Sequence, residues 1–271
     1  MRISSVRPRT NLRGATPTRA EPALIVFARA PEPGRVKTRL VPLLGEKGAA
    51  RLHARLVERT LRTALASGFD YVDLYCSPGI TDIFFIKNQR RFGVRLRSQG
   101  RGNVGDRMYR AFRRVLRRHP YAVLIGSDCP ALRPADLRAG ARALREGADA
   151  VLAPAEDGGY PLIGLRRVSR RLFDGIPWGG PQVLAQTRRR LKALGWRWKE
   201  LRTLWDVDRP EDVARLRRSR LLTTRNRGTQ VPPLPAPKSL PISAAGRRRA
   251  RPSAGSPARS GGSGRISGRR S

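Results

Sequence analysis

The stretch AVLIGSDCPALRPADL, residues 122–137, decides how the rest of the chain reads. Four apolar residues followed by Gly126-Ser127-Asp128 describe a short strand, buried on both faces, that runs out onto a carboxylate. Pro134 then opens a helix whose Leu137, Ala141 and Leu144 recur by four and three on one face. The same alternation extends outward. ALIVFA (23–28) reads as a strand, and Leu52, Leu56, Val57, Leu61 and Leu65 mark a helix that ends at Ser67-Gly68. YVDLYC (71–76) and VRLRS (94–98) read as strands around a helix over 81–91. A basic amphipathic helix follows over 104–118, with Met108, Ala111, Phe112 and Val115 inward. Beyond the starting stretch come a strand at DAVLAP (149–154), a helix near 180–194, a strand near 197–203 and a helix at 210–218. Strands alternating with helices predict an α/β fold, a three-layer sandwich with a mostly parallel central sheet. Such sheets bind ligands outside the carboxyl ends of their strands, so the loops there are where chemistry is expected.

The loop after the first strand, RAPEPGRVKTRL (29–40), gathers Arg29, Arg35, Lys37 and Arg39 around Gly34. Arg offers a planar fork and Lys a mobile point charge, a combination suited to nucleotide phosphates. The loop GSDCPAL (126–132) places Asp128 at the end of the most apolar strand, where an unpaired carboxylate is costly. A divalent cation shared with substrate phosphates answers that cost, which makes Asp128 a candidate metal ligand. Cys129 reads as a packed neighbour, not a nucleophile, since no His lies near it in sequence. In PAEDGGYPLIGL (154–165), Asp157 precedes two glycines that permit close backbone approach, and Tyr160 is a candidate stacking residue. Asp-Gly is also a hairpin-turn signal. In WDVDRPED (205–212), Asp208 and Pro210-Glu211-Asp212 look like helix-start chemistry. Asp206 has no such role and is a candidate metal ligand or base.

The charge is lopsided: 57 Lys+Arg against 20 Asp+Glu, for a net of +37. Only six of the basic residues are Lys, and no acid occurs before Glu21 or after Asp212. Residues 1–21 and 219–271 are accordingly expected to be a disordered basic leader and an Arg/Pro/Ser/Gly-rich tail flanking a folded body at 22–218. A basic arm touching nucleic acid is one reading of those ends; coding bias toward Arg is the favoured one. Two cysteines (Cys76, Cys129) and two separated histidines (His53, His119) exclude a disulfide framework and a structural zinc site. No apolar run is long enough to span a bilayer and no secretory h-region is present, so a soluble, cytoplasmic protein without membrane contact is expected.

With these motifs in hand, the chain resembles the GT-A-fold nucleotide-diphospho-sugar transferases. Within them it is most similar to the radical-SAM/selenodomain-associated transferases, also called arsenosugar-biosynthesis-type glycosyltransferases. The resemblance covers about residues 22–217 and runs in order through FARAPEPGRVKTRL, GRGNVGDRM, IGSDCPAL, PAEDGGYPLIGL, IPWGGPQVLAQT and LWDVDRPED. It implies that Arg29, Gly34, Lys37 and Arg39 hold nucleotide phosphates, joined by Asn103 and Asp106. It also implies that Asp128 binds Mg²⁺ or Mn²⁺, with Asp157 a second ligand or an acceptor-side group. Asp208 falls in the C-terminal D-x-D-x-P-E-D signature. The pattern departs at Asn103, where the family usually carries an acid. Trp178 is a candidate for stacking on the acceptor.

Together these readings give catalytic candidates Asp157, Asp206 and Asp208 in a metal-dependent transferase acting on a nucleotide-activated donor and a small acceptor. Glycosyl transfer from a nucleotide-diphospho-sugar is the first expectation. Nucleotidyl transfer from an NTP to a phosphorylated small molecule is the alternative, disfavoured because RAPEPGRVKTRL lacks the paired glycines of that loop. A nucleic-acid-binding protein on an inactive enzyme fold is the second alternative.

Overall fold

Alternating burial along each strand builds two hydrophobic layers on one sheet. Leu24 and Val26 face one side while Ile25 and Phe27 face the other, as a period of two requires. The computed structural model describes residues 21–222, and the expectations for 1–20 and 223–271 lie outside the described residues. The strands are β1 (Ala23–Arg29), β2 (Tyr71–Ser77), β3 (Arg95–Ser98), β4 (Ala122–Ile125), β5 (Ala150–Ala153), β6 (Leu162–Leu165) and β7 (Trp198–Glu200). The helices are α1 (Val41–Leu65, broken at Gly45), α2 (Ile83–Phe92), α3 (Val104–Val115), α4 (Pro134–Arg145), α5 (Val183–Ala193) and α6 (Pro210–Ser219).

The sheet order is β3-β2-β1-β4-β6-β5-β7. All strands run parallel except β6, which pairs antiparallel with both β4 and β5. The expected three-layer, mostly parallel sandwich is therefore what forms. Side chains of α1, α2 and α4, such as Leu61, Phe85 and Leu137, fill one face. Met108 and Phe112 of α3 and Leu184 and Leu191 of α5 fill the other. A third cluster joins the start of α1 to α6 through Leu44, Leu52, Val213 and Leu216.

Two features differ from the sequence reading. LIGL (162–165) is a buried strand, not the end of a loop, so the Asp-Gly signal at 157–158 joins two neighbouring antiparallel strands after all. The folded body also continues past residue 218. Leu222 is buried, and Arg55 and Arg59 of α1 donate to the carbonyls of Leu222 (2.9 Å) and Leu221 (2.7 Å). A chain ending at Arg218 is expected to be about 1–3 kcal/mol less stable in urea unfolding than one ending at Leu222. Equal midpoints would mean that residues 219–222 contribute nothing.

Candidate active site

The strand order changes direction at β1. Its following connection leads to β2 on one side, while β4 lies on the other, so the loops leaving β1 and β4 diverge and open a crevice at their carboxyl ends. Backbone hydrogen bonds then stitch three segments around it. Gly126 N donates to Pro161 O (3.0 Å), Val207 N to Asp128 O (3.0 Å), Leu204 N to Pro154 O (2.8 Å) and Glu156 N to Leu204 O (3.0 Å). These bonds, and not any sequence proximity, bring Asp128, Asp157 and Asp206 to one place.

Lys37 of the first loop reaches across the crevice, its Nζ 2.8 Å from Asp128 Oδ1. Lys37 holds a left-handed backbone (φ 50) at the start of a 3-10 turn over Thr38–Leu40, which is the local distortion that aims it inward. Its side chain is 5% exposed and that of Asp128 is 47% exposed. Since Asp128 Oδ1 itself is sealed from solvent, the open edge of the carboxylate is its other oxygen. Burial alone would raise the pKa of Asp128, but the Lys37 ammonium and the neighbouring His53 ring more than offset it and hold the group well below the usual carboxylate range. His53, on the buried face of α1, donates from Nε2 to Arg29 O (3.0 Å) and places Nδ1 3.6 Å from Asp128 Oδ1. Arg59 of the same helix donates to Pro130 O (2.8 Å), and Arg202 donates to Ala131 O (2.8 Å), so the Asp128 loop is held from two sides.

Asp206 shows the opposite shift. Burial, then the carboxylates of Asp157 and Asp128, push it up to about 6 against the pull of Lys37. Three acids and one ammonium thus share one electrostatic neighbourhood. Asp157 is exposed on its loop and accepts from Gly159 N (2.9 Å). Gly158 beside it has φ +84, and a side chain there would strike the carbonyl of Pro181, so only glycine lets this turn lie against the 176–187 segment. Among the described residues, no three His, Cys, Asp or Glu side chains are grouped closely enough to cage a metal ion.

The other candidates have more specific local roles than the sequence indicated. Asp208 pairs with Arg39 instead of starting α6; Asp212 does that, accepting from Arg209 N (2.7 Å) and Asp208 N (3.0 Å). Arg29 ends β1 exposed to solvent, and Gly34 turns the loop at φ +75 beside Glu46. Asn103 and Asp106 form a capping box on α3: Asp106 N donates to Asn103 Oδ1 (2.9 Å), and Asp106 also meets Arg170 (3.3 Å). Tyr160 is packed into the α3/α5 layer with its phenol bonded by Thr187 (3.3 Å), so it is not the free stacking platform expected. Trp178 packs in the same layer, 6.4 Å from Phe173 between ring centroids, with Nε1 buried and unpartnered. Cys129 is buried and its thiol is pushed up to about 12 by burial, in keeping with a packed residue. His53 was missed as a site residue because nothing in the α1 pattern separates it from the buried leucines on either side.

These features describe a nucleotide-dependent transferase fold of the GT-A-like kind, and the comparisons agree. A family model described as an uncharacterized protein conserved in bacteria (DUF2064) matches residues 60–180. A candidate nucleotide-diphospho-sugar transferase from Desulfovibrio desulfuricans G20 is 29% identical, with a TM-score of 0.67 over 77% of this chain and 90% of that one. CMP:2-keto-3-deoxy-manno-octonic acid synthetase in complex with CTP shares the fold at 14% identity (TM-score 0.51, 75% of this chain, 100% of that one). So does 4-diphosphocytidyl-2C-methyl-D-erythritol synthase from Anaerococcus prevotii DSM 20548, at 11% identity (TM-score 0.50, 73% of this chain, 95% of that one). No curated protein matches the sequence. Among the described residues, no helix is long and apolar enough to cross a membrane.

The raised pKa of Asp206 has a definite sign. Its ionisation above about pH 6 weakens the fold, whereas below the ordinary carboxylate pKa the group is neutral folded or unfolded. Asp206→Asn is therefore expected to stabilise the metal-free protein at pH 8 by about 1–2 kcal/mol and to leave it unchanged near pH 3. Urea titrations at the two pH values, with chelator present, check this.

Proposed function

We propose that this protein is a metal-dependent transferase that moves a glycosyl group from a nucleotide-diphospho-sugar to the hydroxyl of a small acceptor. The observation that carries the reading is the Lys37–Asp128 pair lying across the crevice where the β1 and β4 loops diverge, with Asp157 and Asp206 in the same field. A diphosphate donor needs both an anion-holding cation and a carboxylate that can share a metal with it. Likeness to the Desulfovibrio protein supports the donor class. The six ordered motifs support placement near the radical-SAM-associated group.

The residues fit Mg²⁺ or Mn²⁺ in their chemistry. Asp128 keeps one carboxylate oxygen open and Asp157 is exposed on the facing loop, giving two hard oxygen donors. With no preformed cage among the described residues, donor phosphate oxygens would have to complete the set, as is usual for Mg²⁺. Bound there, the metal would neutralise charge developing on the departing nucleoside diphosphate.

Lys37, together with Arg29 and Arg39 on the same loop, binds and orients the phosphates. Asp206, with a pKa near 6, is ionised at neutral pH and still basic enough to take the acceptor proton. Asp208 holds Arg39 in place, a positioning role. Asn103 and Asp106 fix the start of α3.

Incubation with UDP-, GDP-, ADP- and dTDP-sugars and with NTPs, with and without Mn²⁺, tests the proposal through both melting temperature and product. The expected result is a metal-dependent rise in melting temperature with one nucleotide sugar and release of a nucleoside diphosphate. Asp128→Ala should abolish the metal-dependent rise and lower turnover by about a hundredfold or more. Pyrophosphate release from an NTP would overturn glycosyl transfer in favour of nucleotidyl transfer.

A further inference from the structure

A second concavity, of about 660 Å³, lies between α3 and strands β2 and β3 and includes none of Lys37, Asp128, Asp157 or Asp206. One wall carries Arg95 and Arg97 of β3, both directed at Asp73 of β2 (2.8 and 3.4 Å). The other carries Arg110, Arg113, Arg114, Arg117 and Arg118 from α3 and the turn after it. Arg110, Arg113 and Arg114 share one side of α3 by their spacing of three and four, and Arg117 and Arg118 line the same cleft from the turn that follows. Among the described residues no carboxylate pairs with any of these five, and Asp73, the sole acid lining the cleft, is already shared.

Like charges at this spacing repel along a helix. The helix dipole offsets part of that near the last turn but does not account for two further arginines on the facing strand. The floor supplies an independent sign of a missing partner. Tyr75 is 3% exposed, its hydroxyl is sealed from solvent, and no protein group bonds to it. Burial and Asp73 push its pKa up to about 12, so it remains a donor at neutral pH. A buried hydroxyl without a partner is disfavoured, and here it lies among guanidinium groups.

We propose that this cleft binds a compact oligophosphate, bridged by the α3 and β3 arginines and receiving a hydrogen bond from Tyr75. Several clustered oxygens suit the guanidinium forks, and the volume is that of a small-molecule site. Arg95, Arg97 and Arg114 act on one buried phenol, and the lining has no exposed track of stacking aromatics, which favours a small anion over a nucleic-acid strand.

Calorimetric titration of sodium tripolyphosphate into the full chain at about 0.15 M salt tests this, with every variant carrying the same terminal segments. Arg114→Gln and Tyr75→Phe should each weaken binding by about tenfold, while Lys37→Ala should leave it within about twofold. Arg114→Gln changes an exposed side chain, so its effect is readable even if Tyr75→Phe perturbs folding. In the Lys37→Ala background, ATP binding tighter than tripolyphosphate identifies a nucleotide as the source, and equal affinity identifies the free anion; both support the site. Loss of binding in Lys37→Ala with none in Arg114→Gln would place the anion in the donor crevice and overturn the proposal. An Arg114-dependent preference for a single-stranded oligoribonucleotide over tripolyphosphate would overturn it as well.

Discussion

The ion pair between Lys37 and Asp128 is the contact on which the arrangement of the crevice depends. One carboxylate oxygen is shut away from water at a strand end, and a buried charge of that kind persists only beside a partner. That partner comes from the neighbouring loop, so the course of residues 30–40 is tied to the position of Asp128. The carbonyl of Asp128 in turn accepts from Val207, which draws in the segment bearing Asp206 and Asp208. Arg39, two residues after Lys37, closes the circuit on Asp208. Three stretches distant in sequence are therefore coupled through a single charge pair.

Much of this was legible in advance, and the reasons are local. β1 and β4 are apolar runs buried on both faces, and α3 keeps Met108, Ala111, Phe112 and Val115 on one side, so period and burial agree. Asp128 stood out because a carboxylate at the end of such a strand demands a partner, and Asp206 because it had no role at the start of α6. β6 was hidden by the turn-forming residues just before it and by Gly164 within it. That glycine leaves room for Val151 and Leu144 to pack across the sheet, an arrangement no single-strand pattern displays. His53, Tyr160 and Trp178 owe their roles to neighbours from other segments, which is information that spacing along the chain does not contain.

Arginine enrichment has more than one structural meaning in this molecule. Arg59 and Arg202 hold carbonyls of the Asp128 loop, Arg215 pairs with Glu156, and Arg188 with Glu200. These are scaffold roles, each with an identifiable acceptor. The arginines of α3 and the turn after it differ: Arg110 donates to the Arg101 carbonyl, but among the described residues no carboxylate pairs with any of the five, and Asp73, the acid in their cleft, is shared by Arg95 and Arg97. A compositional bias toward Arg explains how many such residues there are, but not why these line one cleft.

The reversed direction of β6 divides the sheet into two working halves. The parallel set from β3 to β4 supplies the basic and metal-candidate loops, whereas the turn between β5 and β6 delivers Asp157 from a connection between adjacent antiparallel strands. Such a connection can change length without altering strand register on either side. The fold can accordingly remodel one wall of its crevice while the wall built around Lys37 and Asp128 stays as it is.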